Sequence, residues 1–455
     1  MQVWYPAEPA ADAVSMPYKG YLNVSSGDPS LQDFIEALNT FLFETACQES
    51  MGQRWADLAA DDAKTFETLL HTPSACYSDA PPIKSPFPAL VYHQGLGGSL
   101  VDNPTLLEFL ASYGYVVATS TFQPDHGLFF GVDSNTNRSI KDMACLINAL
   151  CQQYAVDPTR LGLLGHSYGA SAVLGCAAEA QANIRAVVSL DSTREWDAEC
   201  EPLYKDIAER LSQAISSMPP LIIFSMAKPT VRFNHYDALT YADRYYIAVK
   251  HLAHNDFVTP GPTATTLLAQ KPDEQDQLIR ATSKVICESI LAFFDAYLKG
   301  DEPHQHYLEN ALQTLNQNLQ ALSIQVCQAE PQPLSAKQWL DVFLTQGAAT
   351  GCEQITQAAT AVAPETLMKV GRALEERGLY EEALLLYQTL NQQFPDFSSA
   401  YEAAGDIYHY QLKDSAKART AYQAALETLP RDATLSAEQK AYRQNYLTED
   451  IAALM

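Results

Sequence analysis

Between residues 85 and 255, six short apolar runs alternate with helical stretches, and this alternation constrains the fold more than any other feature of the sequence. The runs are continuously apolar rather than alternately apolar and polar, which is typical of strands covered by helices on both faces. The stretches between them, such as Thr105–Tyr113 and Ser139–Tyr154, have helical spacing and are long enough to connect parallel strands. We therefore predict a mostly parallel α/β sheet. Its predicted strands are Pro88–Tyr92, Tyr115–Ser120, Leu161–Leu164, Ala186–Leu190, Leu221–Ser225 and Tyr245–Val249.

Helical patterns precede and follow this alternation. Residues 31–70 carry apolar residues at spacings of three and four, which predicts a helical insertion that either caps the sheet or forms part of a lid. Lys284–Leu298 and His306–Val326 are also predicted to be helical. Two prolines among polar residues then predict a linker over residues 328–335. The first domain is therefore expected to span residues 1–327.

The region after the linker, residues 336–455, contains an internal repeat. Two glycines recur 34 residues apart and two alanines 35 residues apart, so the second unit carries one inserted residue. The pairs are Gly371 with Gly405 and Ala383 with Ala418. This period resembles that of the tetratricopeptide repeat and predicts an all-α domain with units over residues 364–397 and 398–432. Because two units rarely stand alone, neighbouring helices are expected to stack on them.

The charge balance argues against one class of partner. The chain has 54 Asp and Glu against 29 Lys and Arg, a formal net charge of -25, which repels nucleic acids and anionic membrane surfaces. Nucleic-acid binding is therefore not expected. No apolar run reaches the roughly 18 to 20 residues of a membrane-spanning helix, so we expect a soluble protein without a membrane span.

The nine cysteines lack the paired spacing of a zinc site, and most are predicted to be buried thiols. A disulfide between Cys47 and Cys76 is left open, because spacing alone does not decide it.

The start of the chain bears on its compartment. Residues 1–20 contain no basic segment followed by an apolar one, so the given sequence shows no signal peptide. Met1–Pro6 has the pattern of the second half of a strand, which suggests that residues precede it in the natural chain. A targeting signal among them would make the protein periplasmic or secreted.

The sequence Gly165-His-Ser-Tyr-Gly169 lies between an apolar strand and a helix that begins with small residues. It matches the G-x-S-x-G pattern, in which a serine occupies a sharp strand-to-helix turn. Side chains at the flanking positions would collide with the neighbouring strand and helix, so small residues are needed there. The turn exposes the serine hydroxyl at the carboxyl end of the sheet, next to the free amides of a helix N-terminus. We predict that Ser167 is a catalytic nucleophile rather than part of a structural turn.

A serine hydroxyl needs a base to remove its proton, and a histidine acting as base needs an acid to hold its tautomer. In α/β-hydrolases the chain order is nucleophile, acid, histidine. His254 follows the strand Tyr245–Val249, in a loop at the same edge of the sheet as the serine, and is the predicted base. His251 is the competitor, because it lies nearer the end of the strand.

The acid has three candidates. Asp191 directly follows the strand Ala186–Leu190, so its carboxylate is expected at the carboxyl edge of the sheet. Asp237 and Asp243 follow the next strand, at the position that many α/β-hydrolases use. Asp191 is preferred because it adjoins its strand, whereas the other two come ten or more residues after theirs.

The glycine-rich sequence Tyr92–Ser99 follows the strand Pro88–Tyr92, and its glycines allow backbone amides to turn toward a substrate carbonyl. The predicted oxyanion donors are the amides of Leu96 and Tyr168, and the loss of one such donor costs ~3 to 4 kcal/mol of transition-state stabilisation. Phosphate binding is the alternative role of such a loop. The chain has neither G-x-G-x-x-G nor Gly-Lys-Ser/Thr here, which argues against a nucleotide.

With these motifs in place, residues 1–300 resemble the bacterial relatives of the plasma-type platelet-activating factor acetylhydrolases, a branch of the α/β-hydrolases near the dienelactone hydrolases. The resemblance implies an α/β-hydrolase fold, Asp191 as the acid and Leu96 as an oxyanion donor. It does not extend to the helical region after about residue 335. The matching sequences are Val3-Trp-Tyr-Pro-Ala7, His93-Gln-Gly-Leu-Gly-Gly98, Gly165–Gly169, Leu190-Asp191 and His254-Asn-Asp-Phe257.

The expected activity is that of a serine carboxylic-ester hydrolase that works through an acyl-enzyme on short-chain or lipid-like esters, without metal or cofactor. The alternatives are a serine peptidase or amidase with the same triad, and a scaffold that binds a protein partner through its repeats. The segment Asp191–Tyr204 is a candidate lid, and His126 is expected to be a loop histidine without a role. Candidates for an acyl pocket are Tyr168, Phe122, Phe129, Phe130 and Trp196, each equally compatible with core packing.

Overall fold

The computed structural model describes residues 1–122, 136–179, 183–196, 205–259, 274–300, 304–317, 320–358 and 362–454. The chain divides into two compact units, Met1–Glu330 and Pro331–Met455. The division falls within the segment predicted to be a linker.

The first unit contains one mixed sheet, and its described strands follow the spatial order β1-β3-β2-β4-β5-β6-β7-β8. Strands β2 to β7 are parallel, whereas β1 pairs antiparallel with β3 and β8 pairs antiparallel with β7. The six strands predicted from apolar runs are present as β2 to β7, which confirms the mostly parallel sheet. The strands are β1 (Gln2–Trp4), β2 (Phe87–His93), β3 (Val116–Thr119), β4 (Val156–His166), β5 (Ile184–Leu190), β6 (Leu221–Met226), β7 (Arg244–Val249) and β8 (Leu322–Cys327).

Helices cover both faces of this sheet, as the continuous apolar runs of its strands require. One apolar core forms under α4 (Thr136–Gln153), α5 (Tyr168–Ala178) and α6 (Lys205–Gln213). In α4 the buried residues Ile140, Met143, Ile147 and Leu150 recur at spacings of three and four, which places them on one helical face. The opposite core forms under α1 (Gln32–Met51), α2 (Ala60–Leu70), α3 (Pro104–Ser112), α7 (Glu274–Phe294) and α8 (His304–Gln317).

The insertion predicted over residues 31–70 consists of α1 and α2. Leu42 of α1 and Phe66 of α2 are fully buried in the same apolar core as the buried residues of α3 and α7. The insertion therefore forms part of the cover over one face of the sheet.

The prediction of a helix over His306–Val326 is wrong in its second half. Helix α8 ends at Gln317, and β8 then pairs with β7 in a register that joins Leu322 to Val249. The sequence Leu-Ser-Ile-Gln-Val-Cys alternates apolar and polar residues, which is the period of an edge strand with one covered face. Asn316 also links the end of α8 to the start of β8, because its side chain bonds to both the amide and the carbonyl of Leu322.

Cys47 and Cys76 are both free thiols in the structure, so the disulfide left open above is not formed. Cys47 lies buried in the core, where burial raises the pKa of its thiol to about 11. A thiol with so high a pKa is a poor redox partner at neutral pH.

The second unit is helical in its described residues. Its helices are α9 (Ala336–Gln346), α10 (Ala348–Gln357), α11 (Pro364–Glu375), α12 (Tyr380–Gln393), α13 (Ser398–Asp406), α14 (Ser415–Thr428) and α15 (Ala437–Ala453). Two helix pairs, α11 with α12 and α13 with α14, coincide with the two predicted repeat units. In each pair a glycine faces a tyrosine ring, because a Cβ on Gly371 or on Gly405 would lie 2.4 Å from a ring carbon of Tyr387 or of Tyr422.

The residue inserted in the second repeat unit has a visible structural result. Helix α13 continues into a π-helical turn, Ile407–Gln411, in which the Leu412 amide bonds to the carbonyl of Ile407 five residues earlier. A π turn takes up one extra residue without breaking the helix. The sequence shift from a spacing of 34 to one of 35 therefore corresponds to this widened turn.

In the part of the chain that the structure describes, no helix combines the length and hydropathy needed to cross a bilayer.

Candidate active site

Ser167 occupies the turn between β4 and α5, in a strained backbone conformation with φ 54° and ψ -124°. The two glycines of the motif are required by contacts around this turn. A Cβ on Gly165 would lie 2.4 Å from the carbonyl oxygen of Gly169, and a Cβ on Gly169 would lie 2.2 Å from the carbonyl oxygen of His93. Both distances are far below a van der Waals contact, so any side chain would force the turn apart. The steric reason given for the motif is confirmed.

Ser167, His254 and Asp191 form a hydrogen-bonded chain at the carboxyl edge of the sheet. The Ser167 hydroxyl lies 3.0 Å from Nε2 of His254, and Nδ1 of His254 lies 2.7 Å from Oδ2 of Asp191. His254 opens a short 3-10 helix, His254–Phe257, after β7, whereas Asp191 follows β5 directly. In this geometry the imidazole can take the hydroxyl proton, while the carboxylate holds the opposite nitrogen in its protonated form.

Asp191 is fully buried, and its environment favours the ionised form. Its Oδ1 accepts hydrogen bonds from Trp196 Nε1, the Ser225 hydroxyl and the Met226 amide. Burial acts to raise the pKa of this carboxyl, but His254 and these donors outweigh it and lower the pKa below its usual range. The carboxylate is therefore charged at neutral pH, as a partner for a developing imidazolium must be.

The alternatives for base and acid lie elsewhere. Among the described residues, neither His251, Asp237 nor Asp243 contacts Ser167 or His254. Asp243 is instead engaged by the Tyr297 hydroxyl and by the Ala329 amide, at the far end of β7. His251 has its ring in solvent.

The glycine-rich loop after β2 passes directly beside the serine. A Cβ on Gly95 would lie 3.2 Å from Cβ of Ser167, so a side chain there would press on the serine. The Leu96 amide donates to no acceptor within the described residues, and the Leu96 side chain is 61% exposed. Tyr168 is the first residue of α5, where amides at a helix N-terminus favour negative charge. This placement fits the predicted donors, whose role in binding an oxyanion stays a prediction.

Trp196 was considered from sequence only as a pocket-lining or core residue. In the structure its indole donates to Asp191, as described above, and its ring meets the imidazole of His254 edge to face, with centroids 5.1 Å apart. It therefore touches two members of the hydrogen-bonded chain. Because it lies in an irregular loop, no periodicity or motif marked it.

His166 and Asp102 form a buried polar layer beneath the site. His166 Nε2 donates to the backbone carbonyl of His254 at 3.1 Å, and its Nδ1 lies 4.0 Å from Asp102. Burial, together with the neighbouring His254, lowers the pKa of His166 to about 3, so its ring is neutral. Burial raises the pKa of Asp102 to about 6, although the Tyr92 hydroxyl and the Gly95 amide both bond to its carboxylate. Asp102 thereby holds the loop that carries Leu96.

The segment Asp102–Thr105 also holds the turn that carries His254. The Asn103 side chain donates to the Phe257 carbonyl at 3.1 Å, and the Thr259 amide donates to the Asp102 carbonyl at 3.2 Å. The Thr259 hydroxyl completes the contact by bonding to Asn103 and by accepting from the Thr105 amide. One short segment therefore fixes both the glycine-rich loop and the histidine turn. The sequence offered no signal for this, since the partners are far apart along the chain.

The other aromatic candidates divide into two groups. Phe122 is buried and stacks on the His93 ring with centroids 4.0 Å apart, and Tyr168 meets the same ring edge to face, so both serve packing around β2. Phe129, Phe130 and His126 lie outside the described residues. The candidate lid Asp191–Tyr204 is described only as far as Trp196.

Three comparisons with known proteins bear on this site. Residues 106–205 match the prolyl oligopeptidase family, a range that contains Ser167 and Asp191 but not His254. A solved structure of a ferulic acid esterase from Streptomyces cinnamoneus is similar to this chain with a TM-score of 0.43 and 19% identity, over 68% of this chain and 86% of that one. No curated protein matches. The fold is that of an α/β-hydrolase, and the family match supports a serine hydrolase.

Proposed function

We propose that this protein is a serine carboxylic-ester hydrolase that works through an acyl-enzyme. Ser167 attacks the acyl carbonyl while His254 takes its proton, and the amides of Leu96 and Tyr168 receive the oxyanion. His254 then returns the proton to the leaving alcohol. A water molecule, activated by the same imidazole, releases the acid and restores the serine.

One observation carries this proposal: the uninterrupted hydrogen-bonded chain from Ser167 through His254 to a buried, ionised Asp191. A structural serine in a turn needs neither an imidazole at 3.0 Å nor a carboxylate behind it. The strained backbone of Ser167 points the same way, because such strain is retained where the surrounding structure fixes it for function.

The preference for an ester rests on the resemblance of residues 1–300 to platelet-activating factor acetylhydrolase relatives. An apolar cavity of about 420 Å³ borders the turn that carries His254 and supports an acyl group of some length. Its apolar lining includes Leu106, Phe109, Leu190 and Phe257. A series of p-nitrophenyl esters of increasing acyl length tests this part of the proposal.

The second candidate is a serine peptidase or amidase with the same residues, and the match of residues 106–205 to the prolyl oligopeptidase family favours it. Each p-nitrophenyl ester should be paired with the p-nitroanilide of the same acyl group, since both release a coloured product. The quantity to compare is kcat/KM divided by the uncatalysed rate constant, because esters are intrinsically more labile. We expect the larger enhancement on esters; a larger enhancement on anilides would replace the first candidate with the second.

The serine itself is tested separately. We expect a fluorophosphonate probe to label the wild type at Ser167, and we expect the Ser167→Ala variant to lose both labelling and hydrolysis. Labelling at another residue, or hydrolysis that survives this substitution, would refute the proposed mechanism.

For the second unit we propose tetratricopeptide-like repeats that bind a protein partner. The support is the pair of helical hairpins with matching glycine–tyrosine contacts. A chain that ends at Glu330 should still hydrolyse esters but should no longer bind the partner protein. If hydrolysis proves absent from the full chain while the partner is retained, binding is the main function.

A further inference from the structure

Trp196, which contacts both His254 and Asp191, carries a cation on its ring. The ammonium of Lys228 lies 3.8 Å from the centroid of the indole. Lys228 belongs to the segment that follows β6, at the same edge of the sheet as Asp191 and His254. One aromatic ring therefore contacts both this ammonium and the imidazole of the active site.

Within the described residues, no Asp or Glu oxygen lies within ion-pair distance of Lys228. Two acids in the described part of the neighbouring loop are already engaged: Asp191 by its four donors, and the buried Glu195 by the Ser192 and Tyr236 hydroxyls. In a chain with 54 acidic and 29 basic residues, a cation without a carboxylate partner among the described residues is unusual.

Orientation of Trp196 does not account for the lysine. The indole is already fixed by its hydrogen bond to Asp191 and by its contact with His254. A cation–π contact engages the charge of an ammonium through the ring face and leaves N–H donors for another acceptor. The lysine is thus exposed, held at a defined place, and able to donate to a ligand in the active site.

We propose that Lys228 binds an anionic group of the substrate, so that the natural substrates are esters that also carry a carboxylate, phosphate or sulfate a few atoms from the scissile carbonyl. This inference rests on the proposed function, whose ester class it narrows. Because the net charge of -25 repels anions at long range, recognition of such a substrate requires a local cation, and Lys228 supplies it. The charged group resides in the acyl part or in the alcohol part.

Two matched ester pairs distinguish these positions. For the acyl part, the p-nitrophenyl monoester of glutaric acid is compared with p-nitrophenyl valerate. For the alcohol part, the butyrate ester of 4-hydroxybenzoate is compared with that of 4-hydroxybenzamide. The readout in each pair is the ratio of kcat/KM for the anionic ester to kcat/KM for the neutral one.

The ratio is measured for wild type and for Lys228→Ala, Lys228→Glu and Lys228→Arg. Lys250→Ala is the matched control, because Lys250 follows β7 at the same edge of the sheet and bonds to the Gln320 carbonyl rather than to Trp196. This substitution removes the same charge as Lys228→Ala. In at least one pair we expect Lys228→Ala to lower the ratio about fivefold, as for a partly exposed ion pair. Lys228→Glu should lower it further, Lys228→Arg should retain it, and Lys250→Ala should leave it at the wild-type value.

Three results would overturn the proposal, and they are distinguishable from one another. If both ratios stay within twofold of wild type in Lys228→Ala and Lys228→Glu while the esters are hydrolysed, the anion site is refuted and the esterase remains. If Lys250→Ala lowers the ratio as much as Lys228→Ala does, the effect comes from the overall charge of the protein and not from a specific contact with Lys228. If the wild type hydrolyses no ester and Ser167 is not labelled by fluorophosphonate, the proposed function fails and the anion site fails with it.

Discussion

Replacing Trp196 with phenylalanine removes one hydrogen bond to Asp191 while leaving an aromatic ring against His254. The lost donor is the indole N–H, which lies 3.0 Å from Oδ1 of the buried carboxylate. Phenylalanine is smaller than the indole, so the loop accepts it without a clash. The substitution therefore tests mainly the hydrogen bond, because most of the aromatic contact is kept.

The expected effect follows from the number of donors. A hydrogen bond to a charged group contributes about 1.5 to 3 kcal/mol. Ser225 and Met226 continue to donate to the same oxygen, so the lower end of that range applies. About 1.5 kcal/mol corresponds to a roughly tenfold fall in rate. The fall should appear in kcat, because Asp191 acts by stabilising the imidazolium that forms in the transition state.

The assay is steady-state hydrolysis of a neutral p-nitrophenyl ester by wild type, Trp196→Phe and Trp196→Ala. The alanine variant loses the ring as well, and we expect a loss of about a hundredfold. Trp55→Phe is the matched control, since Trp55 packs against Phe43 and Phe66 in the helical insertion. If Trp196→Phe keeps more than half of the wild-type kcat and unfolds at the wild-type temperature, the indole does not orient Asp191.

Two further predictions concern stability. Gly169→Ala places a Cβ 2.2 Å from the His93 carbonyl oxygen, so the backbone must move on both sides of the turn. We expect the free energy of unfolding to fall by ~3 kcal/mol or more and the activity to be lost. Urea unfolding measures the first effect, and Gly27→Ala, whose Cβ would meet nothing within 4 Å, is the control. Burial raises the pKa of Glu195 to about 7, so the folded state holds a proton that the unfolded state releases above its ordinary pKa of 4.5. The stabilisation by this group is complete at low pH and is lost as the pH rises from about 4.5 toward 7, by about 3 kcal/mol. Between pH 5 and pH 7.5, the free energy of unfolding should fall less for Glu195→Gln than for wild type. An equal fall in both proteins would show that Glu195 does not hold a proton in the folded state.

The sequence predicted those parts of the site whose position depends on strand ends. Asp191 adjoins β5, His254 follows β7, and Ser167 lies in a five-residue motif, so that parallel strands bring all three to one edge. The sequence did not predict Trp196 or Asp102, because their contacts join irregular loops whose paths depend on the whole packed sheet. Strand β8 was missed for another reason: its alternation spans only six residues directly after a helix and was absorbed into the helical pattern.

The widened turn Ile407–Gln411 has a consequence for how the helical unit tolerates change. Residues beyond the turn lie one position later than the first repeat would place them, yet Tyr422 still meets Gly405 as Tyr387 meets Gly371. Deleting one residue from the turn would convert it to ordinary α-helix and give both repeats the same length. Such a shortened chain should keep its helical content, and the second repeat should still form its glycine–tyrosine contact.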